Sequence, residues 1–236
     1  MKAYIVATLV LLVLLIPRDN TILASSRSSQ AQELQTKLRT KVENYTIAAD
    51  TFLQALTRVA AKFEIPMGFE WVKAPDTLRS INRSWQRATV YQIIESLVKA
   101  QPGYDFRISN GVVHVFPHGS LTDEHNFLNI RIDKFEVQNE FVEVASERLR
   151  SRVRGLIRQP PPSPPGARQT GKGVAGSMVI DMRDRQVSFR LVNSTVRDVL
   201  DKLSLAAGFK IWVVTYPETP TFTNAGFRRT SSLYTD

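Results

Sequence analysis

Twice along this chain a threonine opens an apolar stripe at helical spacing, which ends in a glycine and is followed by a strand led by an aromatic residue. The first copy runs Thr89, Val90, Ile93, Ile94, Leu97, Gly103, Tyr104, Phe106. The second runs Thr195, Val196, Val199, Leu200, Leu203, Gly208, Phe209, Ile211, with one residue dropped before the glycine. Thr51, Phe52, Ala55, Leu56 and Val59 begin the pattern a third time. A helix with one apolar stripe must bury it, and an alternating strand offers a flat apolar face to receive it. The repeat therefore predicts an α+β fold of repeated βαβ units, with small mixed sheets packed against short amphipathic helices.

The remaining elements fall around these units. Tyr45 and Ile47 read as a strand, and Asp50 as the N-cap of a helix over about 51–64 that Pro66 and Gly68 end. Phe69, Trp71 and Val72 read as the strand after it, and Ser80 to Trp85 as another. Tyr104, Phe106 and Ile108 alternate, Asn110-Gly111 signals a tight hairpin, and Val113 and Val115 alternate on return. Leu128, Ile130, Ile132 and Phe135 suggest a strand, followed by a helix over about 139–157 with Phe141, Ala145, Leu149, Val153 and Leu156 as its stripe. Met178, Ile180 and Met182, then Val187, Phe189 and Leu191, read as paired strands; Phe209, Ile211 and Val213 read as the last one. The expected divisions are a domain at 42–118, a second at 126–216 interrupted by a Pro/Gly-rich loop at 159–176, and a polar, disordered tail at 217–236.

At the N-terminus, Lys2 precedes an apolar run from Ala3 to Ile16; Pro17 ends the run, and Ala24, Ser25 and Ser26 supply small residues. This is the order of a secretory signal peptide. A helix of 14 residues spans about 21 Å, short of the roughly 30 Å hydrocarbon core, so cleavage within 24–31 is expected over permanent anchoring. Residues 1–26 are then the signal peptide and 27–41 a polar linker with a short helix near Leu34–Leu38. The chain has no cysteine, which excludes disulfides, thiolate metal ligands and a Cys nucleophile. An exported chain of this kind, held by its apolar core alone, suits a bacterial periplasm or secretion from it. The formal charge of +9 favours anionic partners without choosing among them.

The stretch YTIAADTFLQALTRVAAKFEIPMGFEW followed by ATVYQIIESLVKAQPGYDFRISNGVVHVF resembles the short N-terminal domain shared by secretins and TonB-dependent transducers. The resemblance covers about residues 43–117, returns as a half-motif over 186–215, and rests on core positions. It implies a periplasmic protein-interaction domain with no catalytic residues and no cofactor. The pore or barrel that usually follows such a domain is absent from this sequence.

Candidate chemistry is sparse. His114, His118 and His125 are the only histidines, with Asp123 and Glu124 nearby, but their spacing matches no zinc pattern; His114, flanked by apolar Val113 and Val115, is expected to face solvent. The reading is no metal site, with a metal-dependent hydrolase as a distant alternative. Gly171 to Gly176 spells GxGxxG, yet a proline-rich stretch precedes it and a strand follows, so no helix N-terminus is there to hold phosphate. Arg148, Arg150, Arg152, Arg154 and Arg158 crowd the end of one helix whose start carries Glu140, Glu143 and Glu147. That polarity suits the helix dipole, and Glu147 can pair with Arg150. With Arg168 and Lys172 the arginines also form a candidate patch for an anionic polymer or membrane surface. Trp71, Trp85 and Trp212 lie in expected strands, where packing is their default role. The leading expectation is a non-enzymatic envelope adaptor that binds a protein, through a free sheet edge; nucleic acid is not an expected partner.

Overall fold

The structure, a computed structural model, describes residues 20–157 and 185–216, with side chains from residue 29 onward. The apolar run read as a signal peptide, the strand expected at Met178–Met182, the loop expected at 159–176 with its GxGxxG letters, and the tail expected at 217–236 lie outside them. The elements run α1 (Asn20–Arg39), β1 (Lys41–Ala49), α2 (Phe52–Phe63), β2 (Met67–Val72), β3 (Ile81–Thr89), α3 (Val90–Lys99), β4 (Tyr104–Ser109) and β5 (Val112–Pro117). After a short turn of 3-10 helix at Phe127–Asn129 come β6 (Arg131–Phe141), α4 (Val142–Ile157), β7 (Gln186–Thr195), α5 (Val196–Ala207) and β8 (Ile211–Tyr216). The fold is mixed α and β, with small sheets and short helices.

Three of the helices, α2, α3 and α5, start where threonine supplies a cap. Thr51 Oγ1 accepts from Gln54 N–H, displacing the expected cap by one residue from Asp50. Thr89 and Thr195 close full capping boxes with Gln92 and Asp198. At its C-terminal end α5 stops at Gly208, whose φ of 72° is left-handed, whereas α2 ends on Glu64 in the same conformation. Gly68 ends nothing: it sits inside β2, where the Trp212 indole lies directly on its backbone.

Two β pairs and one four-stranded sheet are stacked with helices between them. β1 and β3 pair antiparallel, as do β6 and β7. The central sheet has the order β4-β5-β2-β8; β4 is antiparallel to β5, while β2 runs parallel to both β5 and β8. Its two faces serve two cores. Met67, Phe69, Val113, Val115 and Val213 join the core of α2, α3, β1 and β3. Val72, Trp212, Val214 and Tyr216 join the core of α4, α5, β6 and β7. The stretches 42–118 and 126–216 thus share one sheet, because the last strand of the second pairs with β2 of the first.

Several expectations are corrected. Residues 27–41 are not a linker: those up to Arg39 belong to α1, whose Leu34 and Leu38 are buried in the first core, and Lys41 opens β1. Lys37 of the same helix bridges Glu33 at 2.7 Å and Glu64 at 3.6 Å, fastening α1 to the end of α2. The strand expected from Leu128 begins instead at Arg131, since Asn126 caps a tight turn through Leu128 N–H. The helix expected from 139 begins at Val142, and Phe141 and Leu156 are exposed; its buried seam is Val142, Ala145, Ser146, Leu149 and Val153. Phe209 precedes the last strand, which starts at Ile211.

Candidate functional site

Both buried charge clusters lie where α5 meets the central sheet. Glu70 alternates with Gly68 and Val72 on the face of β2 toward α5, and is 1% exposed. An isolated carboxylate there would be strongly destabilising. Arg197, near the start of α5, meets it at 2.5 Å and also donates to Asn129 Oδ1 at 2.7 Å. The second carboxylate oxygen accepts from Ser120 Oγ, from Asn126 Nδ2 at 3.0 Å and from the Tyr216 hydroxyl at 3.2 Å. Burial, then the neighbouring Glu70 charge, holds the Tyr216 phenol well above its ordinary pKa, so it stays a donor. One carboxylate on β2 thereby ties together the 120–129 connection, α5 and β8.

One turn along α5, Asp201 faces His114 of β5. Their closest atoms, Nε2 and Oδ2, are 3.2 Å apart without forming a hydrogen bond. The other Asp201 oxygen accepts from Trp212 Nε1 at 2.9 Å. His114 is 1% exposed, which corrects the expectation that it faces solvent. Both faces of the central sheet are covered, so alternation along β5 leads His114 into the second core rather than to water. His118 and His125 are exposed on the following turn, far from convergence with His114's buried face. Among the described residues no group of three His, Asp or Glu side chains is placed to hold a metal.

The expected basic patch is partly consumed by its own helix and strand. Arg148 pairs with Glu140 at 2.8 Å, donates to the Glu136 carbonyl and lies over the Phe135 ring. Arg150 pairs with Glu147 at 2.6 Å. Arg152 and Arg154 are exposed, while Arg158, Arg168 and Lys172 fall outside the described residues. Trp85 stacks on Tyr45 and donates to Ser96 Oγ, Trp212 is buried, and Trp71 is half-buried in β2.

Among the described residues no strand pairs with the outer edge of β4. Asn110 and Gly111, at φ 53° and 76°, form the two-residue turn closed by Ser109 and Val112. Residues flanking such a turn exchange both backbone hydrogen bonds, and bonded and non-bonded pairs then alternate. Ser109, Arg107 and Asp105 therefore bond to β5, and the N–H and C=O groups of Ile108 and Phe106 point away from it. Beside them a groove of about 320 Å³ runs between β4 and α3, lined by Tyr91, Glu95, Val98, Lys99, Phe106 and Ile108 among others. Tyr91 is exposed and packs its ring 5.5 Å from that of Phe106. The Asp105 carboxylate folds back to accept from Phe106 N–H at 2.8 Å, occupying one outward donor of the edge. Sequence reasoning found the hairpin but not Glu70, Arg197 or Asp201. A glutamate inside the apolar run MGFEWV was the available signal for a buried, partnered charge. No protein-family model, curated protein or solved structure matches the chain.

Proposed function

We propose that this protein is an exported, non-enzymatic adaptor of the bacterial envelope that binds a partner protein by adding one of its strands to the edge of β4. The carrying observation is the outer edge of β4 at Phe106 and Ile108, with which no strand pairs among the described residues, beside a groove with apolar walls. An extended chain satisfies those groups and places alternate side chains in the groove. The cluster at Glu70 supports the same reading, because both of its carboxylate oxygens are taken up in the interior by Arg197, Ser120, Asn126 and Tyr216. The resemblance of residues 43–117 to the short N-terminal domain of secretins and TonB-dependent transducers points in this direction too, as does the N-terminal run read as a signal peptide. The test is affinity capture from envelope extract with the wild-type protein and an Ile108→Pro variant in parallel. Proline removes an N–H that makes no bond to β5, so the sheet persists while the edge is blocked. A partner retained by wild type at high salt and lost from the variant supports the proposal; equal capture by both rejects it.

A second reading, binding of an anionic polymer or phospholipid surface, is favoured by the exposed Arg152 and Arg154, which have no carboxylate partner among the described residues. It predicts binding that falls steeply with salt and is lost on Arg152→Ser with Arg154→Ser.

A further inference from the structure

Building on the proposal of strand capture at β4, we infer that the captured segment carries an apolar–acidic–apolar–basic pattern, read from its N- to its C-terminus. The two sides of β4 impose different demands. Phe106 and Ile108 turn toward α3, alongside Tyr91 and Val98. Asp105 and Arg107 also border the groove, but strand alternation sends their side chains to the opposite face, the one shared by their partners Phe116 and His114, and both are exposed. A strand added antiparallel to β4 runs past Ile108, Arg107, Phe106 and Asp105 in that order. Its residues opposite Ile108 and Phe106 enter the groove, where apolar side chains cover Tyr91 and the Phe106 ring. Those opposite Arg107 and Asp105 sit on the other face.

The hydrogen-bond pattern makes the charged positions the closer ones. Phe106 and Ile108 direct their amides outward, so the new bonded pairs form there. Asp105 and Arg107 then occupy non-bonded pairs, whose Cα atoms approach to about 4.5 Å. Opposite charges at such positions are favourable and like charges unfavourable. Asp105 adds a second demand, since its carboxylate must leave Phe106 N–H for the incoming carbonyl to enter. A basic side chain directly opposite gives the released carboxylate a new partner. An acidic residue opposite Arg107 completes the pattern.

The experiment uses the full chain, labelled with nitrogen-15, and two acetylated, amidated hexapeptides: Thr-Val-Glu-Val-Lys-Thr and its charge-exchanged form Thr-Val-Lys-Val-Glu-Thr. The first is expected to shift the Phe106 and Ile108 amide signals and to bind about tenfold more tightly than the second, the sum of two cross-strand pairs changing sign. Asp105→Lys combined with Arg107→Glu is expected to reverse that preference, and Ile108→Pro to abolish both interactions with the circular dichroism spectrum preserved. Equal binding of the two peptides at the β4 amides overturns the charge pattern and leaves strand capture standing. Binding by neither peptide overturns the pattern, and the parallel capture with Ile108→Pro then decides separately whether the edge is used. Shifts confined to residues away from β4 overturn the site itself.

Discussion

At Gly68 a single hydrogen atom decides how closely two stretches of chain can approach. A methyl group there would stand 2.3 Å from Trp212 Cζ2. Gly68→Ala is expected to cost about 1–3 kcal/mol, the usual penalty for overpacking, measured by urea unfolding; an unchanged midpoint would show that the indole moves aside freely. Glu70→Gln is expected to cost about 3–5 kcal/mol, since it leaves the Arg197 guanidinium buried without a countercharge. Glu70→Gln with Arg197→Met should cost clearly less than the two single changes added, and additivity in that cycle would mean the pair is not coupled. Tyr104 gives a pH signature. Its hydroxyl accepts from Val72 N–H at 2.8 Å, and burial raises the phenol's pKa far above the ordinary value. Unfolded tyrosine ionises near pH 10 while the folded residue stays protonated, so its contribution is intact below about pH 10 and lost as pH rises further. Tyr104→Phe is expected to flatten the fall in stability above that pH while lowering stability at neutral pH by about 1 kcal/mol.

Among the elements, those with local signatures were legible in sequence and those defined by distant partners were not. Thr89 and Thr195 announced α3 and α5 because a capping box is written within four residues, and Asn110-Gly111 announced the β4–β5 hairpin in two. In α1 the described side chains offer only Leu34 and Leu38 to the core within a polar segment, which reads as a linker until α2 and α3 are in place to receive them. Leu34→Ala and Leu38→Ala are each expected to cost about 2–5 kcal/mol, and a cost near zero by thermal unfolding would return α1 to the status of a spacer. The α4 stripe departs from its expected residues for a related reason. Phe141 continues the i, i+4 series on paper, but β6 keeps it, paired with Gln186, and the helix takes Val142 as its first buried residue. Of the candidate sites, the basic helix was visible and the open edge of β4 only half visible. The hairpin could be read, but which of its strands lies outermost depends on β5 finding β2, a parallel pairing with no local mark.

For the molecule as a whole, the joint between β2 and β8 is the organising feature. It gives both cores a common wall, and the Glu70–Arg197 and His114–Asp201 contacts cross it. The two halves are therefore expected to unfold together. Trp85 in the first core and Trp212 in the second, each followed by fluorescence in a variant lacking the other tryptophans, should report one denaturation midpoint. Two separated midpoints would mean that the shared sheet does not couple them. The joint also sets a timetable. The neighbour of β2 lies well over a hundred positions further along the chain, at Ile211–Tyr216, and contacts of such long range are slow to form. A ribosome must pass residue 216 before the wall between the cores can be completed. Until that strand emerges, Phe69 and Glu70 stay without their eventual cover.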